Sequence, residues 1–598
     1  MIRLEQFDYI FAIGMLFAFL DAFNIGANDV ANSFSSSISS KSLTYFQAMC
    51  LASICEFLGA VLAGSRVSDT IRTKIVDLDA FKDSPAALMI TMACALIGSS
   101  IWLTIATAIG MPVSTTHSIS GGLIGAGIAA VGSDNIIWGW SGFSQMVAAW
   151  FIAPLLGGCI SAIIFSFVKF GIMERKNDVK RALLFAPVVV FVTFAILTML
   201  ITWKGAPNLN LDDLSTGAIV GSIFGVGASA SVIYMIFIHP IFQRRLIHED
   251  WRIPFWHALF GFTYYFKSKD DIPPVPEGRT LIPDYYEGRR INEDTDLIHQ
   301  ESEGTQEIAM KNAHKVMEIE IKKSQSLSDN QIEAQVVPKL QALETVGTTE
   351  ENVSIFRYVT PEEYDIWKIF IKKPSKWPML FLLIITHGFR QDVISNQSSS
   401  DSTLGKNVNN VHSKSIFYNI KAEHVFSLLQ AVTACTMSFA HGSNDIANAA
   451  GPLSTIYLVW KSNTTTSKLD VPVWVLCFTA GALVIGLWTF GYKIVSQLGN
   501  KMILQSPCRG FSIELGAAVT VVMATQLNIP VSTTQIATGC TVAVGLCNLN
   551  LQGCNWRMVA WCYLGWVITI PIAGLMAGIL NGIIINAPRM GAVYEMSG

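Results

Sequence analysis

Charged side chains are scarce in this sequence. Only 14% of its 598 residues are Asp, Glu, Lys or Arg, while 51% are hydrophobic; a soluble domain carries roughly 25% charge. A chain of this length could not stay dispersed in water with so little surface charge, so a large soluble domain is excluded. The composition requires an integral membrane protein with many spans. A basic excess is also missing: net charge is -3, which leaves no field for nucleic acid. The eleven cysteines include no CxxC pair. They read as small buried hydrophobes rather than a zinc site or disulfide framework. No P-loop, nucleophile elbow or dinucleotide Gly-rich loop is found. That argues against an enzyme, a bound cofactor or an ATP-driven pump, so any work must draw on an ion gradient.

What the sequence does contain is apolar segments of spanning length. Seven precede residue 240, at about 6–25, 46–64, 84–108, 117–132, 143–168, 182–201 and 214–239. Five follow residue 421, at about 422–440, 471–491, 511–527, 531–548 and 557–582. The expected fold is all-α and polytopic, with about twelve transmembrane helices. Three regions follow: a first membrane half (1–240), a polar central loop (241–421), largely disordered, and a second membrane half (422–598). The stretch Met310–Lys323 looks helical. WPMLFLLIITHG from Trp377 is too short to span. The first apolar run reads as a span and not a cleaved leader. Gly221-x-x-x-Gly225 and Gly574-x-x-x-Gly578 read as close helix contacts.

Positive charge sets the expected orientation. Lys169, Arg175, Lys176, Lys180 and Arg181 cluster between the fifth and sixth spans, and Arg244 and Arg245 open the central loop. Both sites come out cytosolic, which puts both termini outside. Residues 65–83, with Arg66, Arg72, Lys74 and Lys82, run against this count. The acceptor pattern Asn463-Thr464-Thr465 then faces outward, as expected of a glycoprotein.

Two polar strings recur in the same order. FNIGANDVANSF begins at Phe23 and FAHGSNDIANAAGP at Phe439, 416 positions later; PVSTT occurs at Pro112 and again at Pro530, 418 positions later. Two motifs in near-constant register argue for duplication. Seven expected crossings separate the first pair. An odd number inverts one copy relative to the other, giving two inverted repeats. Gly26 and Gly442 permit either a helix break or a close backbone approach, and broken or re-entrant helices are expected. Proline at Pro112 and Pro530 predicts helix starts at the first-turn position.

Asp29 and Asp445 would each cost a few kcal/mol as isolated charges in a bilayer. A bound cation removes much of that cost, and carboxylate with Asn and hydroxyl oxygen is hard-ligand chemistry that suits sodium. The alternative is helix capping near the membrane surface. Ser114, Thr115 and Thr116, with Ser532, Thr533 and Thr534, lie beside orphan amides and form a donor-rich nest for a small tetrahedral oxyanion. Capping and back-bonding in a kinked span would use the same hydroxyls. Glu56 and Glu514 sit among apolar neighbours and read as ion-coupling acids or paired ones. They are not repeat equivalents, since Glu514 maps onto Leu96. His117 and His441 have no metal-site companions at suitable spacing, so each reads as a hydrogen-bonded histidine. His441 would tune a pH response.

These strings, GANDVANSF, GSNDIANAAGP and the paired PVSTT, resemble the inorganic phosphate transporter (PiT) family, and within it the fungal sodium-dependent symporters. The likeness covers roughly residues 5–240 and 420–585. It implies symport of inorganic phosphate with sodium ions into the cytosol by alternating access, across a cell membrane, in a homodimer of inverted halves. It carries the family's core ion and phosphate residues onto Asn28, Asp29, Asn444 and Asp445, with hydroxyls Ser114, Thr115, Ser532 and Thr533, its important acids onto Glu56 and Glu514, and a histidine onto His441. Together with the residue chemistry above, phosphate is expected on Asn28, Ser114, Thr115, Thr116, Asn444, Ser532, Thr533 and Thr534, and sodium on Asp29, Asn32, Glu56, Asp445, Asn448 and Glu514. Gln535 stands where many relatives carry histidine, and glutamine does not titrate. Proton coupling, and a membrane sensor signalling through the central loop, are the rival readings.

Overall fold

The computed structural model describes residues 4–203, 214–267, 272–276, 280–289, 367–368, 370–393, 397, 408–465 and 470–587, without the side chains of 30–32, 255–256, 385 and 389. The expected helical stretch Met310–Lys323 lies outside the described residues. Helices make up the fold, and the sole strand pairing among the described residues is an isolated bridge between Val76 and Ile136. The chain forms two compact units, Met1–Tyr286 with Val393–Gly598, and Glu287–Asp392. In the second unit Trp377–Thr386 is a ten-residue helix, and Phe370, Leu380 and Leu383 are buried together. At about 1.5 Å per residue it is half the length a span needs.

The first unit is built from thirteen main helices. They are α1 (Asp8–Ser39), α2 (Tyr45–Ala63), α3 (Pro85–Ala108), α4 (Thr115–Val131), α5 (Phe143–Val168), α6 (Asp178–Thr202) and α7 (Thr216–Ile233), then α8 (Ile420–Asp445), α9 (Ala447–Ser462), α10 (Val473–Val495), α11 (Pro507–Gln526), α12 (Thr533–Leu546) and α13 (Trp556–Asn586). Among the described residues nine of these are long and apolar enough to cross a membrane, so the all-α polytopic class is borne out. The other three of the expected twelve fall on α4, α8 and α12. The helices α4 and α12 have 17 and 14 residues, too short for a hydrocarbon core of about 30 Å. The helix α8 is long enough, but its sequence is too polar.

Two local expectations are corrected. The chain does not break at Gly26 or Gly442. The helix α1 runs through the first Asn-Asp motif for 32 residues, and α8 runs through the second as far as Asp445, with a turn only at Ile446. The glycines serve close approach instead. A Cβ at Gly26 would lie 1.9 Å from the Leu483 carbonyl oxygen, and one at Gly442 would lie 2.4 Å from that of Glu56. Nor does proline start a helix in PVSTT. Ser114 and Ser532 are the N-caps of α4 and α12, each accepting from the backbone N–H three residues on. Of the two GxxxG runs, Gly574 and Gly578 do pack on α4, against the carbonyls of Gly121 and Gly125. Gly221 and Gly225 meet nothing within 4 Å, because α7 lies at the apolar periphery.

The halves are related by exchange. The helices α1 to α5 correspond in order to α8 with α9, α10, α11, α12 and α13. Each major packing pair has a swapped partner. As α1 packs on α10, α8 packs on α2; as α4 packs on α13, α12 packs on α5; as α3 packs on α13, α11 packs on α5. The same exchange holds at atomic scale. A Cβ at Gly59 would meet the Phe439 oxygen at 2.1 Å, and one at Gly486 the Phe23 oxygen at 1.8 Å. Phe23 and Phe439 are the same position of the repeated motif. The duplication in the sequence is therefore a two-fold exchange of helices in the fold.

Candidate functional site

The site forms where the N-termini of α4 and α12 meet the Asn-Asp pairs of α1 and α8. Asn28 anchors the first half. Its amide donates to Thr107 Oγ1 at 3.1 Å and to the Met111 oxygen at 3.2 Å, and its oxygen accepts from the Val113 N–H at 3.1 Å. This holds the extended Met111–Ser114 segment against α1 and aims the first turn of α4 inward. Asn444 occupies the matching place in the second half, between Asp445, Thr525 and the Val531 backbone. With its amide nitrogen turned to acceptors it donates to Asp445 Oδ1 and the Val531 oxygen, both at 3.1 Å.

Threonines tie the two halves together. Thr115 donates to Asp29 Oδ2 at 2.8 Å, and its repeat mate Thr533 donates to Asp445 Oδ2 at 2.5 Å. Thr534 crosses over to Asp29 Oδ1 at 2.8 Å. Thr116 donates to the Val531 oxygen at 3.1 Å, and Thr534 to the Val113 oxygen at 3.4 Å. Asn448 donates to Thr115 and Thr116 at 3.2 and 3.3 Å. Every one of these side chains is no more than 3% exposed, so the site is closed to water on all sides. The first turns of α4 and α12 both reach Asp29; helix N-termini favour an anion, while the carboxylates Asp29 and Asp445 favour a cation.

One acid pair extends the site on one side. His441 Nε2 lies 2.9 Å from Asp445 Oδ2, and its Nδ1 lies 2.7 Å from Glu56 Oε2. Ser438 donates to Glu56 Oε1 at 2.8 Å. Nδ1 makes the hydrogen bond to Glu56, while Nε2 lies near Asp445 without hydrogen-bond alignment. The expectation that His441 lacks companions is thus corrected: one ligand atom each from Asp29, His441 and Asp445 lies within 4.8 Å of the others. The companions come from α1 and from one turn further along α8. A search along the sequence for a metal motif misses the first, though the His441–Asp445 spacing of four is a usable signal.

Glu514 is not part of this cluster. Its carboxylate accepts from Ser36 and Ser37 at 2.6 and 2.7 Å, from Gln430 at 3.0 Å and from Thr433 at 2.9 Å. Ser36 and Ser37 lie two turns beyond Asp29 on α1, about 10 Å along its axis. The serine run SFSSSISS is the signal in the sequence; which acid it serves is not written there. The Asn32 side chain lies outside the described residues. His117 packs its ring on Trp150 with centroids 3.9 Å apart, and its Nδ1 lies 3.4 Å from the Trp566 oxygen. It is a packed histidine, at a position where the second half has Gln535.

Comparisons with known proteins give the family. The family model described as the phosphate transporter family matches residues 25–577. The phosphate-repressible phosphate permease pho-4 of Neurospora crassa is 44% identical over 98% of this chain and 99% of its own. Sodium-dependent phosphate transporter 1 of Mus musculus is 26% identical, covering 96% of this chain and 94% of its own. A solved structure titled "The sodium-dependent phosphate transporter" shares the fold, with a TM-score of 0.60 at 23% identity, over 97% of this chain and 100% of that one. The chain is a multi-pass membrane protein and not an enzyme, and it belongs to the phosphate transporter family.

Proposed function

We propose that the chain imports phosphate by sodium-coupled symport with alternating access. Phosphate docks between the two halves, on Asn28, Asn444 and the hydroxyls and helix-end amides of Ser114–Thr116 and Ser532–Thr534. Sodium ions occupy oxygen ligands at Asp29, Asp445 and Asn448, and lower the cost of bringing an anion beside two carboxylates. Binding of the two solutes is then coupled, because each relieves a charge the other would otherwise meet. Glu56 and Glu514 act as further coupling acids. The observation that carries this reading is the meeting of two opposed helix N-termini at the Asp29 and Asp445 pair, with all its members buried. The sodium-dependent relatives support the choice of ion. Both termini outside, a cytosolic central loop and inverted halves follow from the positive charges near residues 169–181 and 244–245 and the odd number of crossings between the motifs.

The test is uptake of labelled phosphate into proteoliposomes containing the full chain, with an inward sodium gradient or with choline, across pH. Sodium-driven accumulation is the expected result. Equal rates in sodium and choline would end the sodium reading. A second reading, proton coupling, is favoured by one observation: a titratable ring, His441, hydrogen-bonds Glu56 and lies 2.9 Å from Asp445. Stimulation by low pH in choline is its signature. A chain lacking residues 290–366 retains transport under either reading and loses it only if the loop is essential to the activity.

A further inference from the structure

Asp21 is a buried acid that the phosphate site does not use. It lies on α1 eight residues before Asp29, about 12 Å along the helix, with 0% exposure. Neither of its carboxylate oxygens accepts a well-formed hydrogen bond, and no cationic side chain among the described residues stands against it. Its buried counterparts differ: Asp29, Glu56, Asp445 and Glu514 each accept from at least one hydroxyl, and Glu423 accepts from Tyr286. An unpaired carboxylate at membrane depth is costly and is retained where it does something.

The surroundings of Asp21 offer oxygen. The side chain it faces is Ser99 on α3. Ser99 donates its own hydrogen to Ser118 Oγ on α4 at 2.9 Å, and Ser118 donates back to the Ser99 carbonyl at 3.4 Å. Ser99 thus has a second hydroxyl to share its hydrogen with, and its oxygen keeps lone pairs that a cation beside the acid can use. Asn24 and Asn28 continue the same face of α1, bonded to Ser100 and Thr104, then to Thr107 and Met111. A polar track therefore joins Asp21 to the phosphate site. The repeat shows that the fold does not need the charge: 416 positions on, the equivalent residue is Met437.

We propose that Asp21, with the hydroxyl oxygen of Ser99, is an additional binding site for a sodium-class monovalent cation, one polar track away from phosphate. Hard carboxylate and hydroxyl oxygen is the ligand set such an ion takes. A cation here supplies the positive charge that no donor supplies. The inference deepens the sodium-coupled reading and rests on it for its place in transport, though not for the binding itself.

The test uses the full chain, wild type, Asp21→Asn and Ser99→Ala. Direct binding of ²²Na⁺ to purified protein is measured without phosphate, and sodium and phosphate uptake are measured together in proteoliposomes. Asp21→Asn is expected to bind one fewer sodium ion per chain and to lower the sodium-to-phosphate ratio. Ser99→Ala, which removes no charge, is expected to raise the half-saturating sodium concentration about 10-fold, the scale of losing a supporting group at a metal. It carries the test if Asp21→Asn does not fold. Sodium binding and ratio unchanged in the variants that fold would overturn the site. So would an altered pH profile at an unchanged sodium count, which would make Asp21 a proton site. Loss of sodium-driven uptake in the wild type, with Asp21-dependent sodium binding intact, would overturn the coupled function and leave this site standing.

Discussion

The two halves use the same scaffold and fill it differently. Where the second half has His441 against Glu56, the exchanged positions in the first half are Ile25 and Leu483, by the register that pairs Gly26 with Leu483 and Gly442 with Glu56. Where the second half has Glu514 with Ser37 and Thr433, the first has Leu96, Leu453 and Phe17, all within one apolar core. The duplicated strings build the shared centre, and the acids Glu56 and Glu514 outside them have no acidic counterpart in the exchanged positions. Two-fold symmetry thus holds for the duplicated cluster and fails for the charge around it. A symmetric surface can present the same site to either side of the membrane. Asymmetric charge is what would let ions distinguish the two states.

The largest effect is expected at the shared centre. Replacing Asp29 or Asp445 by Asn strips a buried network of a charge, a loss of about 3–5 kcal/mol. Phosphate uptake should fall at least ~100-fold while folded yield survives. Sodium-stimulated uptake persisting in Asp29→Asn would remove that residue from the site. Next comes the asymmetric pair. Glu56→Gln leaves His441 with a single carboxylate, and thermal stability should drop by roughly 3 kcal/mol. The double variant Glu56→Leu with His441→Ile copies the first half's Leu483 and Ile25. It should recover stability and not uptake. A double variant as unstable as the single one would show that the two sides are not interchangeable scaffolds.

Smaller effects test the exchange itself. Gly26→Ala and Gly442→Ala each push a methyl group into a backbone carbonyl, at 1.9 and 2.4 Å. Each should destabilise by about 1–3 kcal/mol, with Gly26 the worse, as read by thermal unfolding in detergent. Equal stability to wild type would mean that α1 and α10 can part at no cost. Least of all, Thr107→Val and Thr525→Val each remove one hydrogen bond to an Asn of the motif, about 1 kcal/mol. Thr107, at 3.1 Å from Asn28, should matter more than Thr525, at 3.5 Å from Asn444. The reverse order in phosphate KM would break the comparison.

Much of the centre is legible in the amino-acid order. Asn28, Asp29, Thr115 and Thr116, with Asn444, Asp445, Thr533 and Thr534, stand out because the strings repeat, and they come together in one cluster. Other features are not legible there. Gly26 reads as either a break or a close approach, since glycine permits both; only the neighbouring Leu483 carbonyl decides for close packing. Glu514 resembles Asp29 in type, although its donors lie two turns away. Asp21 gives no signal, because a single acid in an apolar run carries no motif.

Composition and residue order alone dictate an all-helical membrane protein with a duplicated polar motif. Low charge, spanning-length apolar runs and identical strings are properties of the chain itself, and the bilayer leaves such a chain few alternatives to helices. Which polar groups share a site is fixed only on folding, since side chains some 80 to 500 positions apart meet only when helices exchange between the halves. Folding also fixes which buried acids find donors and which, like Asp21, do not, because that depends on what the facing helix presents.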